Sequence, residues 1–142
     1  MIKLSNELKL NRVVWKDSVL GKDKYNLFRS SDLFVLLSHS ENFGLSIAEA
    51  LSFGLPVITT TNTPWKDLKK YKCGWCIDLK MKKIVKTIEN AICLNPKKKI
   101  SMGKRGRAWI ERDFSDQSIA PKLQSAYNWI LNKGPKPKKI IF

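Results

Sequence analysis

Two stretches of the chain are apolar without alternation. Leu33–Leu37 reads LFVLL, and Pro56–Thr59 continues a second, shorter run. Apolar residues at consecutive positions mark a strand covered on both faces, as in a parallel sheet. A third strand is predicted at 73–79 (CGWCIDL), and Val13, Val14 and Trp15 make a short apolar run that is a candidate fourth. Between these runs the period changes. Residues 23–31 (DKYNLFRSS) read as a helix after the break at Gly21. Residues 44–53 form another, closed by Gly54 and Pro56. Pro64 suits the first turn of a short helix reaching Lys70. Met81–Leu94 carries Ile84, Ile88, Ala91 and Ile92 on one stripe. Pro96 opens a helix running to about Arg112. Ser115 is placed to cap the last, Asp116–Leu131, whose stripe is Ile119, Leu123, Ala126, Tyr127 and Ile130. Strands alternating with helices predict an α/β architecture with helices over both faces of a parallel sheet. The expected domain is 1–133, followed by a frayed basic tail over 134–142 (GPKPKKIIF).

Ligands of such sheets bind beyond the carboxyl ends of the strands. The loop Ser38–Phe43 lies at such an end, between LFVLL and the helix beginning near Gly44. That helix start offers unpaired backbone N–H groups and the positive end of a dipole, which together suit a phosphate. Gly44 has no side chain, so a ligand can approach the backbone closely. Ser46 and Glu49, three apart, share one face of the helix, with Ile47, Ala48 and Leu51 on the apolar one. Side chains lean toward a helix N-terminus, so Glu49 points back toward the N–H groups. A carboxylate there would repel a phosphate it touched, but would take the hydroxyls of a ribose a few ångströms away. Glu41 could accept from hydroxyls on the other side of the ligand. Equally, Glu41 could serve only to complement the helix dipole and Glu49 could be plain surface. Spacing does not choose between these readings.

Composition narrows the classes. The length of 142 residues suits one domain with a core, and 43% hydrophobic content is that of a globular protein. No run approaches a membrane span, and MIKLSNELKLNRVVW is too often charged for a signal peptide. The reading is a soluble, cytoplasmic chain. The net charge of +15 sets up a field that attracts anions. It comes from 22 Lys and only 5 Arg, whereas nucleic-acid readers favour the bidentate arginine fork, so nucleic acid is not the expected partner. Three cysteines fit a reducing compartment. Cys73 and Cys76 form a C-x-x-C, but on a strand they point to opposite faces, and no helix begins there to lower a thiol pKa. A zinc site would need two more ligands, and only Cys93 and His39 remain, so neither a metal nor a redox role is expected.

The segment SHSENFGLSIAEALSFGLPVITT resembles the E-x7-E signature of retaining family 4 glycosyltransferases, which have the GT-B fold. Ser38, Glu41, Phe43, Gly44, Glu49, Ala50, Gly54, Pro56 and Val57 fall in place. The flanks SSDLFVLLS, TNTPWKDLKKYKCGWCIDL and FSDQSIAPKLQSAYNWIL are similar to the family's preceding strand, following segment and closing helix. In the middle flank a Thr-Pro-Trp stands where Gly-Gly is more usual. The resemblance runs from about Arg12 to Leu131. It implies a truncated Rossmann-like parallel sheet of about three to four strands flanked by helices, part of a GT-B C-terminal domain that binds a nucleotide-sugar donor. Glu49 then matches the glutamate on the nucleotide ribose, and Glu41 the catalytic-site glutamate near the donor hexose. The amides around Phe43, Gly44 and Leu45 match those facing the sugar and diphosphate, with Ser46 beside them. Leu37 replaces the family's usual proline, and His39 reads as a loop residue.

The resemblance further implies a UDP- or GDP-sugar as donor substrate, hexose transfer with retention, no essential metal or other cofactor, and a place in surface polysaccharide or lipopolysaccharide synthesis. Such enzymes join two domains around the site. The N-terminal domain and the opening of the C-terminal one, with an Arg and a Lys that neutralise the diphosphate, have no counterpart here. The chain alone is therefore expected to be inactive or nearly so. A separate N-terminal half is an expected partner, as is a second copy, because losing two strands turns LFVLL into a hydrophobic edge that Val13–Trp15 or another chain must cover. Contact with the inner face of a membrane is a further expectation from the charge. The rival readings are a non-catalytic subunit and a basic module for anionic membranes or nucleic acid.

Overall fold

A computed structural model describes residues 2–137, and the last five residues of the expected basic tail lie outside them. The chain divides into two compact units, Met1–Ser30 and Ser31–Phe142. In the first unit, α1 (Ile2–Glu7) and α2 (Gly21–Ser30) are joined by an irregular segment. The Trp15 indole N–H donates to Ser5 Oγ at 2.9 Å, tying that segment to α1. Val13, Val14 and Trp15 are exposed and form no strand, so the expectation of a fourth strand fails. Three apolar residues are too few to set a strand when nothing beside them supplies a ladder. α1 was not foreseen, because its charges and apolar residues follow no clean period.

The second unit holds the sheet. β1 (Phe34–Leu36), β2 (Val57–Thr60) and β3 (Gly74–Ile77) run parallel in the order β1-β2-β3. Each strand pairs with the next in sequence, and each link crosses over through α3 (Leu45–Ser52) or through the segment 61–73, which carries a single 3₁₀ turn at Lys66–Leu68. The helix expected from Pro64 to Lys70 is thus reduced to that turn. α4 (Met81–Ile92), α5 (Pro96–Phe114) and α6 (Asp116–Ile130) follow. Every residue of β2 is buried, as an unalternating run requires. β1 is an edge strand, as expected for LFVLL, but it is not covered on both faces: Val35 is 38% exposed.

The core lies between β2 and the helices. α3 buries Ile47, Ala50 and Leu51, so its apolar face is rotated from the expected one by the exchange of Ala50 for Ala48. α5 packs across α3 at two glycines. A methyl group on Gly103 would sit 1.8 Å from the carbonyl oxygen of Gly54, and one on Gly106 would meet Leu51 Cδ2 at 2.8 Å. At Gly103 the backbone of α5 meets the backbone of the turn that closes α3. Asn95 caps α5 by accepting from Lys97 N–H at 2.9 Å, with Pro96 in the first turn. Ser115 caps α6, accepting from Ser118 N–H at 3.3 Å. Two expected stripes are only partly used. In α4, Ala91 is buried while Ile92 faces out, and in α6 no residue is buried, with Leu123, Tyr127 and Ile130 half or more exposed.

Candidate functional site

The loop 38–44 leaves the carboxyl end of β1 and delivers the chain to α3. Its position is set by hydroxyls from β2 and the turn after it. Thr59 Oγ1 donates to Leu36 O at 2.9 Å, and Thr60 Oγ1 donates to Ser38 O. Thr63 Oγ1 in turn donates to Thr60 O at 3.0 Å. All three threonines are buried, so these bonds form in a low dielectric and leave no polar atom without a partner. Ser38 Oγ then donates to Glu41 Oε1 at 3.0 Å. The carboxylate of Glu41, a half-buried residue, is therefore held at the strand end by bonds that begin in β2.

Gly44 follows in the left-handed conformation, with φ 74° and ψ 60°, and forms the N-cap of α3. That conformation costs a residue with a Cβ about 1–2 kcal/mol. It also brings no side-chain acceptor to the first turn. The Ile47 N–H donates to Gly44 O at 2.9 Å, which leaves the amides of Leu45 and Ser46 at the mouth of the helix. Leu45 is exposed and Ser46 half-buried. Glu49 is also half-buried and begins about 6 Å further along the axis, four residues at ~1.5 Å rise. The structure thus gathers Phe43, Gly44, Leu45 and Ser46 into one turn, places Glu41 at the strand end that precedes it, and sets Glu49 one helical turn beyond. His39 is exposed in the same loop.

What the sequence did not reveal is how the turn is clamped. The Trp65 indole N–H donates to the carbonyl of Phe43. Trp65 is only 2% exposed, and its ring lies 5.3 Å from Phe43, 5.4 Å from Trp109 and 5.3 Å from Phe114. Tyr71 stacks on Trp109 at 4.4 Å, extending the cluster. The Thr-Pro-Trp of 63–65 is thus a structural device: Thr63 fixes the β2 end and Trp65 fixes the turn. Its only signal in the sequence is a buried-type aromatic among turn residues, which does not say what the indole bonds.

Among the described residues no group of three or more metal-ligating side chains exists, and none of the cysteines is in a disulfide. Cys73 and Cys76 lie at and in β3, as expected for a strand. Burial pushes the Cys73 thiol up to about 11, and raises Cys76 as well. Cys93 is exposed. A disulfide-exchange reagent at neutral pH should modify Cys93 first, Cys76 more slowly, and Cys73 only with unfolding. Because the folded-state pKa of Cys73 is raised from 9.0, stability is full below pH 9 and falls as pH rises toward 11. The expected loss is about 2–3 kcal/mol. Urea titrations at pH 8 and pH 11 should show a smaller pH effect in Cys73→Ala than in the parent chain.

Residues 1–109 match the family described as "Glycosyl transferases group 1". The chain belongs to that family. The chain is 31% identical to the capsular polysaccharide biosynthesis glycosyltransferase CapM of Staphylococcus aureus over 113 residues, 78% of this chain and 30% of CapM. It is 28% identical to the O-antigen biosynthesis glycosyltransferase WclY of Escherichia coli over 128 residues, 90% of this chain and 35% of WclY. The crystal structure of WaaG, a glycosyltransferase involved in lipopolysaccharide biosynthesis, superposes with a TM-score of 0.70 at 20% identity, covering 88% of this chain and 34% of WaaG. At that identity the likeness shows the fold: an open parallel sheet flanked by helices, part of the Rossmann-like GT-B architecture. The group 1 chain spans about a third of the length of the curated relatives it matches. No helix among the described residues is long and apolar enough to cross a membrane.

Proposed function

We propose that this chain forms the donor-binding part of a retaining family 4 glycosyltransferase, corresponding over 1–133 to a portion of a GT-B C-terminal domain, and that its ligand is a UDP- or GDP-sugar. The observation that carries this reading is Gly44: a left-handed residue at the mouth of α3, opening two backbone amides beyond the end of a parallel strand. The diphosphate and sugar lie against the amides of Phe43–Leu45, with Ser46 beside them. Glu49 accepts from the ribose hydroxyls, and Glu41, steadied by Ser38, accepts from hydroxyls of the hexose. The sugar leaves with its configuration retained and without an essential metal. The names of CapM and WclY support a place in surface polysaccharide synthesis.

The rest of the site comes from elsewhere in the complete enzyme, so the chain alone binds nucleotide weakly and transfers little or no sugar. Each charge-assisted hydrogen bond absent from the diphosphate is worth about 1.5–3 kcal/mol, roughly tenfold or more in affinity. The exposed apolar stripe on α6 favours a second reading within the first, in which a separate polypeptide supplies the acceptor domain.

Isothermal titration with UDP and GDP tests the proposal. A dissociation constant well above micromolar is expected for one of them, weakening about tenfold or more in Glu49→Gln. Submicromolar binding by the chain alone would contradict the fragmentary site. Binding that is indifferent to Glu49 would remove that residue from it.

A further inference from the structure

A second cleft lies at the opposite side of the sheet, along β3. It is an open hollow of about 510 Å³ bounded by Lys69, Lys72 and Arg105, with Trp75, Leu94 and Met102 among its apolar walls. β2 separates β3 from β1, so this cleft and the loop 38–44 belong to different edges. None of the described residues lining it is acidic. Three cations around one hollow repel one another, and the field they share favours an anion.

The guanidinium of Arg105 is fixed in place. Its Nε and Nη2 donate to Lys72 O at 3.0 and 2.7 Å, and its Nη1 donates to Ser101 Oγ at 2.7 Å. Three of the five N–H groups hold the fork still, and two remain for a ligand. The chain adopts a rare conformation to make this possible: Lys72 has φ 51°, which turns its carbonyl to the arginine. Arginine is scarce in this sequence, and a held guanidinium flanked by lysines matches the charge and fork geometry of a phosphate. A bare phosphate would fill a small part of the space. Trp75 is half-buried in β3, Met102 is half-buried on α5, and Leu94 is half-buried beyond α4. They offer apolar surface beside the cations, the usual composition of a ligand cleft of this size.

We infer that this cleft binds a phosphate ester carried on an apolar body, the phosphate at Arg105, Lys72 and Lys69, and the apolar part against Trp75, Leu94 and Met102. The inference is independent of the nucleotide-sugar reading.

The test uses the full chain and three probes: dihexanoyl phosphatidic acid below its micellar concentration, inorganic phosphate, and phosphatidylcholine vesicles with and without phosphatidylglycerol. Backbone NMR should show dihexanoyl phosphatidic acid shifting Gly74–Ile77 and Met102, with affinity at least tenfold above that of inorganic phosphate. Lys69→Gln with Lys72→Asn, the asparagine chosen because it tolerates positive φ, should weaken that binding at least tenfold with an unchanged melting temperature. Arg105→Lys, which keeps the charge and loses the fork, should weaken it as well. Vesicle co-sedimentation that depends on phosphatidylglycerol and is lost in the double variant assigns the ester to a bilayer. Retained short-chain binding without vesicle binding assigns it to a soluble compound. Either result sustains the site. Phosphate binding as tightly as the lipid, binding indifferent to the double variant, or shifts spread evenly over the lysine-rich surface would overturn it.

Discussion

Replacing Gly103 by alanine is expected to destabilise the protein by about 2 kcal/mol or more, although alanine is the better helix former. The propensity gain for Gly→Ala inside a helix is about 1 kcal/mol. Against it stands a methyl 1.8 Å from the Gly54 carbonyl oxygen, which belongs to backbone and cannot rotate away. Either α5 lifts from α3, or the turn after α3 moves. Both disturb the packing of Ile47, Ala50 and Leu51, the fully buried residues of α3. For a domain of about this size each kcal/mol shifts the melting temperature by roughly 3–4 °C. Lys104→Ala is the control, because Lys104 is the next residue on α5 and is exposed. It should leave the melting temperature unchanged or slightly raised. Equal melting of Gly103→Ala and Lys104→Ala would mean that the helices do not meet at Gly103.

Trp65→Ala is expected to cost about 3–5 kcal/mol, the range for truncating a buried aromatic side chain. That is a large share of the 5–15 kcal/mol that holds a typical domain together. Trp65→Phe separates the two roles of the residue. It keeps a ring among Phe43, Trp109 and Phe114 but removes the N–H that holds Phe43 O, at an expected cost of about 1 kcal/mol. The Ile47 amide, which donates to Gly44 O, should then exchange hydrogen faster, while those of β2 stay protected. Unchanged exchange at Ile47 would show that the turn holds itself. If faster exchange is accompanied by weaker nucleotide binding, the clamp is a positioning device for the proposed donor site.

The sheet was legible from its apolar runs, and the reading of burial on both faces holds for β2 alone. VITT in β2 is apolar or hydroxyl-bearing throughout, and all four residues are buried. The start of α3 was legible from Gly44, and those of α5 and α6 from Pro96 and Ser115. Each of those residues acts locally, through its own conformation or its own side chain. What failed depends on residues far apart in sequence. The exposure of Val13–Trp15 and of the α6 stripe could not be read, because a stripe announces a preference for burial without saying whether anything lies against it. The same holds for the site. Glu41, Gly44 and Glu49 are named by the family resemblance, since spacing alone left their roles open, but the bonds from Thr60 and Trp65 to their loop span 22 residues each, and no local pattern encodes them.

The order β1-β2-β3 follows the order of the chain, and that has a consequence for how the sheet is assembled during synthesis. A parallel strand cannot pair with its predecessor until the whole crossover between them exists. β1 must wait for residue 60, and β2 gains its second neighbour only when residue 77 has emerged. The glycine-to-glycine seam between α3 and α5 closes later still. Among the described residues the sheet therefore grows outward one strand at a time, each new strand joining the one before it, and α5 then closes over α3.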